Sequence, residues 1–465
     1  MSDLLSLLQQ SANALGVYRS VTATTTHNIH NANTPGFARQ RANLASATTT
    51  DKLGGALIGR GVLLQSVTQA RDRFIERQVP RVLAQAAASS TESFALKSVT
   101  ALDPNGPLPE SVGSFFGALR ALAQHPGDPG LRQAAVGKAG ILAQAFNQTA
   151  ESLHQSRKGL DSKMTGVVNE VNALSKQMAD LNRQIRSATA VGVAPNDLLD
   201  ARQRVQDRLV TLTGAQTVDN GDSSVNLKLP QGPTLVSGDE AGQLSTLADP
   251  NNNGHLVIRI HDVDGSAPTT LNSNAGGELG GLFSARDGAL KTALSSLDTL
   301  AFDLGDALNS VHSTGFALDG SSGRELFSVG TSASGAASRM QVNTAIVQDA
   351  SLLAAAGSPS GMSGDASNLQ LLISKETQAL SGGSDASGAL SSLITDFGIS
   401  AQRIASVAEH DEATSRHITG MRESVSGVSI DEEMINLTRA QRAYEAVTKV
   451  IQTTNEMLDT LMKLK

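Results

Sequence analysis

The chain has 465 residues with 43 glycines, no cysteine, no tryptophan and a formal net charge of −7. Its length suggests roughly two to four domains. The acidic balance argues against broad binding of nucleic acid or of an anionic membrane surface. The absence of cysteine excludes disulfides and thiol catalysis, and no apolar run reaches the roughly 18 residues that insertion into a bilayer requires.

The first predicted element is an amphipathic helix over about residues 3–31. One row of its side chains recurs every seven residues, the spacing of a coiled-coil seam: Leu8, Leu15, Thr22 and Ile29. The β-branched run that begins at Thr22 is a poor helix former, so we expect the helix to be stable only when packed. Asp3 is the only charge before Arg19, so an ordinary basic secretion signal is not expected. The helix should end at Pro35 and Gly36.

A loop or hairpin with a short strand is predicted over 54–68, followed by helical segments near 71–78, 82–100 and 110–124. Pro80 is expected to break or kink the first of these unless it begins a new helix. Asp128 is a plausible N-cap before Pro129. Apolar side chains recur with alternating spacings of three and four from Leu142 to Ile185, which predicts a helical rod of roughly 65 Å. Residues 196–212 are predicted to form a helix that returns antiparallel to it.

Alternating strands with glycine and proline turns are predicted over 215–281. A helix is predicted over 282–314. It is followed by a loop-rich stretch that contains a helical piece near 369–380. Residues 391–423 then lead into a last helix that begins at about 429. The predicted fold is mainly α with a small inserted β domain. Its expected parts are a terminal coiled-coil domain (1–36 plus 428–465), an elongated helical bundle domain (37–214 plus 282–427) and the β insert (215–281).

The last helix carries two rows with a seven-residue repeat. One consists of Ile430, Leu437, Tyr444, Ile451 and Leu458, and the other of Ala440, Val447, Thr454 and Leu461. Asp431, Glu432 and Glu433 occupy the first turn, where carboxylates complement the helix dipole. An ordinary amphipathic helix on a globular core is the simpler interpretation. The matching stripe at the other end of the chain favours a coiled coil between the two helices, or packing against neighbouring copies.

The segment NIHNANTPGF, residues 28–37, could serve only to stop a helix. It also resembles the N-terminal signature of the axial proteins of the bacterial flagellum, carried here by Asn28, Asn31, Ala32, Asn33, Thr34, Pro35, Gly36 and Phe37. SGVSIDEEMINLTRAQRAYEAVTKVIQTTNEMLDTLMKL near the end, GVLLQSVTQARDRFIERQV from Gly61 and GLFSARDGAL from Gly281 are similar to the family of flagellar hook-associated protein 1. Two departures are an interrupting Pro80 and a short central insert, so the outer domain of longer relatives should be missing.

The resemblance implies a secreted structural protein, exported by the flagellar type III route, that forms a ring at the hook–filament junction. Its implied partners are further copies of itself, the hook protein, the second junction protein (hook-associated protein 3) and an export chaperone at the C-terminal helix. Asn28, Asn31, Asn33, Pro35 and Gly36 would fix the angle between the inner helix and the outer bundle. We expect the terminal helices to be disordered before assembly.

The alternatives are another axial protein, such as a hook or distal-rod subunit, and a secreted adhesin-like coiled-coil protein. An enzyme is not expected, because the sequence has no P-loop, G-x-S-x-G or H-E-x-x-H motif. His27 and His30 lack further ligands, so neither a metal nor another cofactor is predicted. The segment 262–265 (DVDG) is interpreted as a hairpin turn. Residues 410–417 are interpreted as solvated helix surface. The charged residues of 71–77 are interpreted in the same way, with subunit contacts as the alternative.

Overall fold

The computed structural model describes residues 2–47, 51–53, 56–58, 61–263, 265–271, 275–361 and 363–463. Within this part of the chain the helices are α1 (Ser2–His30), α2 (Arg73–Lys97), α3 (Pro107–Gln124), α4 (Pro129–Ala190), α5 (Asn196–Thr213), α6 (Gly277–Phe283), α7 (Leu290–His312), α8 (Ala336–Arg339), α9 (Thr344–Gln348), α10 (Ser367–Ser374), α11 (Ala386–Ser426) and α12 (Ile430–Lys463). A π-helical segment, Ser284–Ala289, joins α6 to α7. None of these helices is long and apolar enough to cross a membrane.

The described strands are short and all pair antiparallel. They are β1 (Gln40–Ser46), β2 (Asp51–Leu53), β3 (Ala56–Ile58), β4 (Val62–Gln69), β5 (Gln216–Asp219), β6 (Val225–Lys228), β7 (Thr234–Ser237), β8 (Glu240–Ala241), β9 (Gln243–Ala248), β10 (Leu256–His261), β11 (Thr269–Leu271), β12 (Phe327–Ser328) and β13 (Gln341–Val342). β1 pairs with β4 from Gln40 opposite Gln69 to Ser46 opposite Val62. The strands of the insert form two sheets, in the orders β5-β6-β7-β8 and β11-β10-β9. The fold is thus mainly α with a small β insertion, as predicted.

The helix α4 is the backbone of the bundle. Asp128 caps it by accepting a hydrogen bond from the N–H of Leu131 at 3.0 Å, and Pro129 is its first residue. The side chains from Leu142 to Ile185 that keep the 3–4 alternation are mostly buried, and α3, α5 and α7 pack along the rod. The predicted long helix and its N-terminal cap are confirmed.

The prediction that Pro80 interrupts a helix is wrong. It lies inside α2, which runs unbroken from Arg73 to Lys97. Ile75 and Val79 beside it are buried. Their burial opposes the roughly 3 kcal/mol that an internal proline costs a helix.

Two other expectations also need correction. The face of α11 around residues 410–417 is not fully solvated, because Asp411 and Ser415 are buried and Asp411 Oδ1 accepts a hydrogen bond from Gln85 Nε2 of α2 at 3.0 Å. The helical piece expected at 369–380 is the shorter α10. Residue 264, in the predicted turn at 262–265, lies outside the described residues.

A buried charge network attaches the β insert to the bundle. The guanidinium of Arg286 donates to the carbonyl of Leu256 in β10 at 2.7 Å and pairs with Asp161 of α4 and with Asp287. Burial acts to raise the pKa of Asp287, but hydrogen bonds from Arg286 and Asn252 outweigh it and hold that pKa below its usual value. The insert is therefore held at a set position along the rod.

Candidate assembly interface

The two terminal helices pair in antiparallel orientation. Asn28, near the end of α1, lies 3.0 Å from Glu433 in the first turn of α12. Because α1 packs against α12 over its length, the beginning of α1 lies beside the end of α12. Besides packing on each other, the pair contacts β1 and β4, and His27 near the end of α1 reaches Asp197 of α5.

Small side chains form the centre of this helix pair. Apart from Asn28, the buried residues of α1 are Ser11, Val17 and Thr25, while Ala440 and Thr454 are buried in α12. Small residues in facing positions let two helix backbones approach closely.

The predicted seam residues lie at the edges of this contact. Those that become half-buried are Leu8, Leu15, Ile29, Leu437, Val447, Ile451 and Leu458. Ile430, Tyr444 and Leu461 remain 47%, 42% and 45% exposed. These three side chains are therefore not buried between α1 and α12, and their packing against neighbouring copies stays a prediction.

Large apolar side chains lie exposed on both terminal helices, mostly on α12. Besides the three residues just named, the large apolar side chains that are at least 40% exposed there are Leu5, Leu7, Met434, Ile435, Val450, Met457 and Met462. A groove of about 820 Å³ also opens between α1, β1 and α12, with Tyr18, Leu44 and Ile435 in its lining. Exposed apolar side chains in this number beside a groove favour a site of protein–protein contact.

Asn28 connects α1, β1 and α12. Its side chain is buried, its Oδ1 accepts from the N–H of Gln40 at 2.9 Å, and its Nδ2 donates to the carbonyl of Gln40 at 2.8 Å and to Glu433 Oε2 at 3.0 Å. An asparagine offers donors and an acceptor at once, so it can bridge a strand backbone and a carboxylate. These hydrogen bonds explain why the first residue of the signature is an asparagine.

Arg39 completes what we call the Asn28–Glu433 network. Its Nε donates to Glu433 Oε1 at 2.7 Å, and its Nη1 donates to Glu432 Oε2 at 2.8 Å. The Glu433 side chain is only 3% exposed and that of Arg39 14%, whereas Glu432 is 61% exposed. Glu433 therefore forms a desolvated ion pair in addition to complementing the helix dipole, and removing it would leave a cation with little solvent.

The rest of the signature forms a tight turn after α1. Asn31 Nδ2 donates to the carbonyl of His27 at 3.0 Å, and Thr34 Oγ1 donates to Asn31 Oδ1 at 3.2 Å. Gly36 has a φ of +74°, and the Phe37 ring packs edge-on against His27 at 5.4 Å. Ala32 is half-buried, and Asn33, Thr34 and Pro35 are exposed. The turn thus has an inner side that fixes the chain direction and an outer side open to solvent.

Asp200 attaches this turn to the bundle. Its Oδ2 accepts from the N–H of Ala38 at 3.2 Å, and its Oδ1 accepts from Gln69 Nε2 and from Arg71 Nη2, both at 2.7 Å. Burial raises the pKa of Asp200, against the opposing effects of the Ala38 hydrogen bond and of Arg71. The charged residues around 71 are therefore not merely solvated surface, since Arg71 holds a buried carboxylate of α5.

His27 is bound within the chain and not placed for a metal. Its Nε2 lies 3.0 Å from Asp197 Oδ1. Among the described residues no group of three or more histidine, aspartate or glutamate side chains is arranged to hold a metal ion.

Sequence reasoning did not single out three residues of this site, namely Arg39, Gln40 and Asp200, and it gave Glu433 only a role at the helix dipole. Arg39 and Gln40 directly follow the signature, and Glu433 belongs to the acidic first turn of α12. Their closeness to the signature and to the start of α12 was the signal by which the sequence could have indicated them. The partners lie up to 405 positions apart, so no local pattern could pair them.

Gly36→Ala is expected to destabilise the turn by about 1–2 kcal/mol, because the left-handed conformation disfavours a side chain. The added Cβ would also lie 2.7 Å from Arg204 Cγ. Urea-induced unfolding and hydrogen exchange over residues 31–38 measure the effect. Gly159→Ala in α4 is the matched control, since its Cβ would meet nothing within 4 Å and should stabilise the helix by up to about 1 kcal/mol. Equal effects of the two changes would contradict the role given to Gly36.

Two family models match the chain. Residues 98–327 match the model described as the flagellar hook-associated protein FlgK helical domain. Residues 422–464 match the model of the flagellar basal body rod FlgEFG protein C-terminal. The first match covers α3 to α7 with the β insert, and the second covers the end of α11 and α12.

Full-length relatives agree with this assignment. Flagellar hook-associated protein 1 of Salmonella typhimurium is 26% identical, over 99% of this chain and 100% of that protein. The protein of the same name from Bacillus subtilis is 27% identical, over 97% and 96% of the two chains. The chain belongs to the flagellar hook-associated protein 1 family. The Salmonella alignment runs over 554 positions, more than the 465 residues here, so that relative carries segments that this family member lacks.

A solved structure supports the same family. The flagellar hook junction protein FlgK from Burkholderia pseudomallei superposes with a TM-score of 0.52 at 30% sequence identity. The match covers 55% of this chain and 47% of that one, so this chain spans about half of that FlgK chain in the superposition. It shares the fold of the matched part.

Proposed function

We propose that this protein is a structural subunit of the bacterial flagellum that polymerises at the junction between hook and filament and allows the filament to assemble. The observation that carries the proposal is the set of large apolar side chains left exposed on α1 and α12, described above. Leu437 and Ile451 are only half-buried in the pair, and Ile430, Tyr444 and Leu461 remain exposed. Family membership and the junction role stated for the Burkholderia relative support the same function.

In this mechanism, neighbouring copies cover one another's terminal helices. Leu8, Leu15, Leu437 and Ile451, at the edges of the pair, become buried when the next copy packs alongside. Burial of apolar surface contributes about 25 cal/mol per Å², so a ring of subunits offsets the ordering entropy that one subunit alone does not. The terminal pairs then form the inner layer of the ring, with the bundle and the β insert outside it.

The signature turn and the Asn28–Glu433 network set the angle of the pair. Asn28 and Glu433 connect the two helices to β1, and Asp200 connects the turn to α5. Asn31 and Gly36 shape the turn itself, and exposed Asn33 and Pro35 lie on its outer side. All copies then present their terminal pairs in one orientation, as a closed ring requires.

The specific partners belong to this proposal. They are the hook protein below the ring, the second junction protein (hook-associated protein 3) above it, and an export chaperone that covers α12 before secretion. An apolar helix such as α12 needs cover in the cytoplasm, because exposed apolar surface promotes aggregation. We assign no catalytic step to this subunit, and its site of action is outside the cell.

A hook or distal-rod subunit is the second candidate, favoured by the match of residues 422–464 to the rod protein model. Electron microscopy of a strain lacking the gene separates the two. Bare hooks with flagellin shed into the medium are the expected result for a junction protein. Absence of hooks would overturn the proposal and indicate the rod. Normal filaments would contradict both the junction role and the hook or rod role. An adhesin-like role would then be tested by measuring binding to surfaces.

A further inference from the structure

A basic groove lies on the bundle, apart from the terminal helices. It has a volume of about 1230 Å³ and runs between α2, α5 and the β insert. Five arginines and two acids line it, namely Arg71, Arg73, Arg77, Arg81, Arg202, Glu76 and Asp219. This excess of positive charge contrasts with the net charge of −7 of the whole chain. Outside the groove the protein surface is therefore more acidic still.

Three of these arginines form a row that no hydrogen bond or ion pair among the described residues explains. Arg73, Arg77 and Arg81 are spaced four residues apart on α2, so they share one helix face. All three are exposed, and the structure gives none of them a hydrogen bond or ion pair with a described residue. Arg71 and Arg202, by contrast, have partners in Asp200 and Asn182.

The placement of this row is unfavourable in an isolated subunit. Like charges four residues apart on a helix repel each other. Arg73 is also the first residue of α2, where the positive end of the helix dipole disfavours a cation. Beyond the arginines, the same helix face continues with Ala84 and Ala88 in the floor of the groove. A row of cations above a floor of small side chains fits an acidic protein surface.

We infer that this groove receives the carboxylate-bearing surface of a second copy of this chain. The inference rests on the proposed function, in which copies stand side by side. Charge complementarity favours this occupant, because the groove is basic and the remaining surface of every copy is acidic. The groove also adjoins the attachment point of the terminal helices, since Gln69 and Arg71 line it and both bind Asp200.

The contact is of the head-to-tail kind. A basic groove on one copy and an acidic surface on the next are different patches, and repeated contacts of this type build a ring when the rotation between copies closes. The terminal helices would then supply the apolar part of the interface, and the groove would set the order and spacing of the copies.

The test adds the purified full-length protein to hooks isolated from a strain that lacks this protein, and measures how much protein is needed to cap half of the hooks. The variant R73E/R77E/R81E is compared with R73K/R77K/R81K, which keeps the charge, and thermal unfolding confirms that both are folded. We expect the glutamate variant to need about tenfold or more protein to cap half of the hooks at low salt. The lysine variant should stay within about twofold of the unaltered protein. In 1 M salt, where the screening length is about 3 Å, the difference should largely disappear.

A cross-linking arm identifies the occupant. Because the chain has no cysteine, Ala84→Cys can carry a single photo-activated cross-linker on the floor of the groove. The expected adduct joins two copies of this chain at a segment that contains exposed carboxylates. An adduct with hook protein, or capped hooks with no adduct, would overturn the inference. If the glutamate variant caps hooks as well as the unaltered protein does, the inference about the groove is overturned and the proposed function stands. If the unaltered protein fails to cap hooks, both the inference and the proposed function are overturned.

Discussion

Leu437→Asp and Ile451→Asp are each expected to give a soluble, folded subunit that builds no filament. Both side chains are half-buried at the edge of the α1–α12 pair, where the proposed neighbour packs. An unpaired carboxylate in an apolar interface costs at least about 2 kcal/mol, and a ring repeats that cost at every contact. The bundle core lies elsewhere, around α3, α4 and α7, so its stability should not change.

Swimming in soft agar and electron micrographs of isolated hooks measure this effect, and thermal unfolding verifies that the bundle is intact. Thr438→Asp is the matched control, because Thr438 is an exposed polar residue of the same helix beside Leu437. We expect it to swim normally. Normal swimming of the Leu437 and Ile451 variants would contradict the assignment of this face to assembly.

Glu433→Gln is expected to loosen the attachment of α12 by about 3 kcal/mol, the lower end of the range for removing one partner of a buried ion pair. Arg39 would keep only the exposed Glu432 as its carboxylate partner, and Asn28 Nδ2 would lose a charged acceptor. The expected phenotype is severe, since both terminal helices depend on this network for their direction. Hydrogen exchange of the first turns of α12, measured in subunits assembled on hooks, reports the loosening.

Glu432→Gln is the neighbouring control. Its side chain is 61% exposed, so its pair with Arg39 should contribute less than about 1 kcal/mol. The double variant Arg39→Met with Glu433→Met should cost less than the sum of its two single changes, because it leaves no unpaired buried charge. Equal effects of the Glu432 and Glu433 changes would show that the network is only surface electrostatics.

Local and periodic features could be predicted from the sequence. The rod α4 follows from an apolar repeat sustained over most of its length, and its start follows from Asp128 and Pro129. The β insert follows from alternation and turn residues. These signals are carried by residues close in sequence, so no knowledge of their partners is needed.

The face on which the terminal helices pair could not be predicted. The large residues of the seven-residue rows indicated Leu8, Tyr444 and Leu461, but the pair closes on Ser11, Thr25, Ala440 and Thr454. Periodicity locates an apolar stripe without saying which neighbour covers which part of it. Within the subunit α1 covers only part of the stripe of α12, and we propose that neighbouring copies cover the rest.

Tertiary contacts account for the remaining differences between the sequence-based predictions and the structure. Pro80 reads locally as a helix breaker, yet burial of Ile75 and Val79 keeps α2 continuous. Glu433 reads locally as a dipole-complementing carboxylate, yet its main partners are Asn28 and Arg39, at the other end of the chain. In both cases long-range packing sets the outcome, which the local sequence does not encode.

Hydrogen exchange followed by mass spectrometry, on the free subunit and on the same subunit assembled on hooks, tests the central claim most directly. We expect amides along α1 and α12 to exchange rapidly in the free subunit, while those of α4 stay protected. Assembly should slow exchange along both terminal helices. Strong protection of α1 and α12 already present in the free subunit would contradict the claim that neighbouring copies complete their folding.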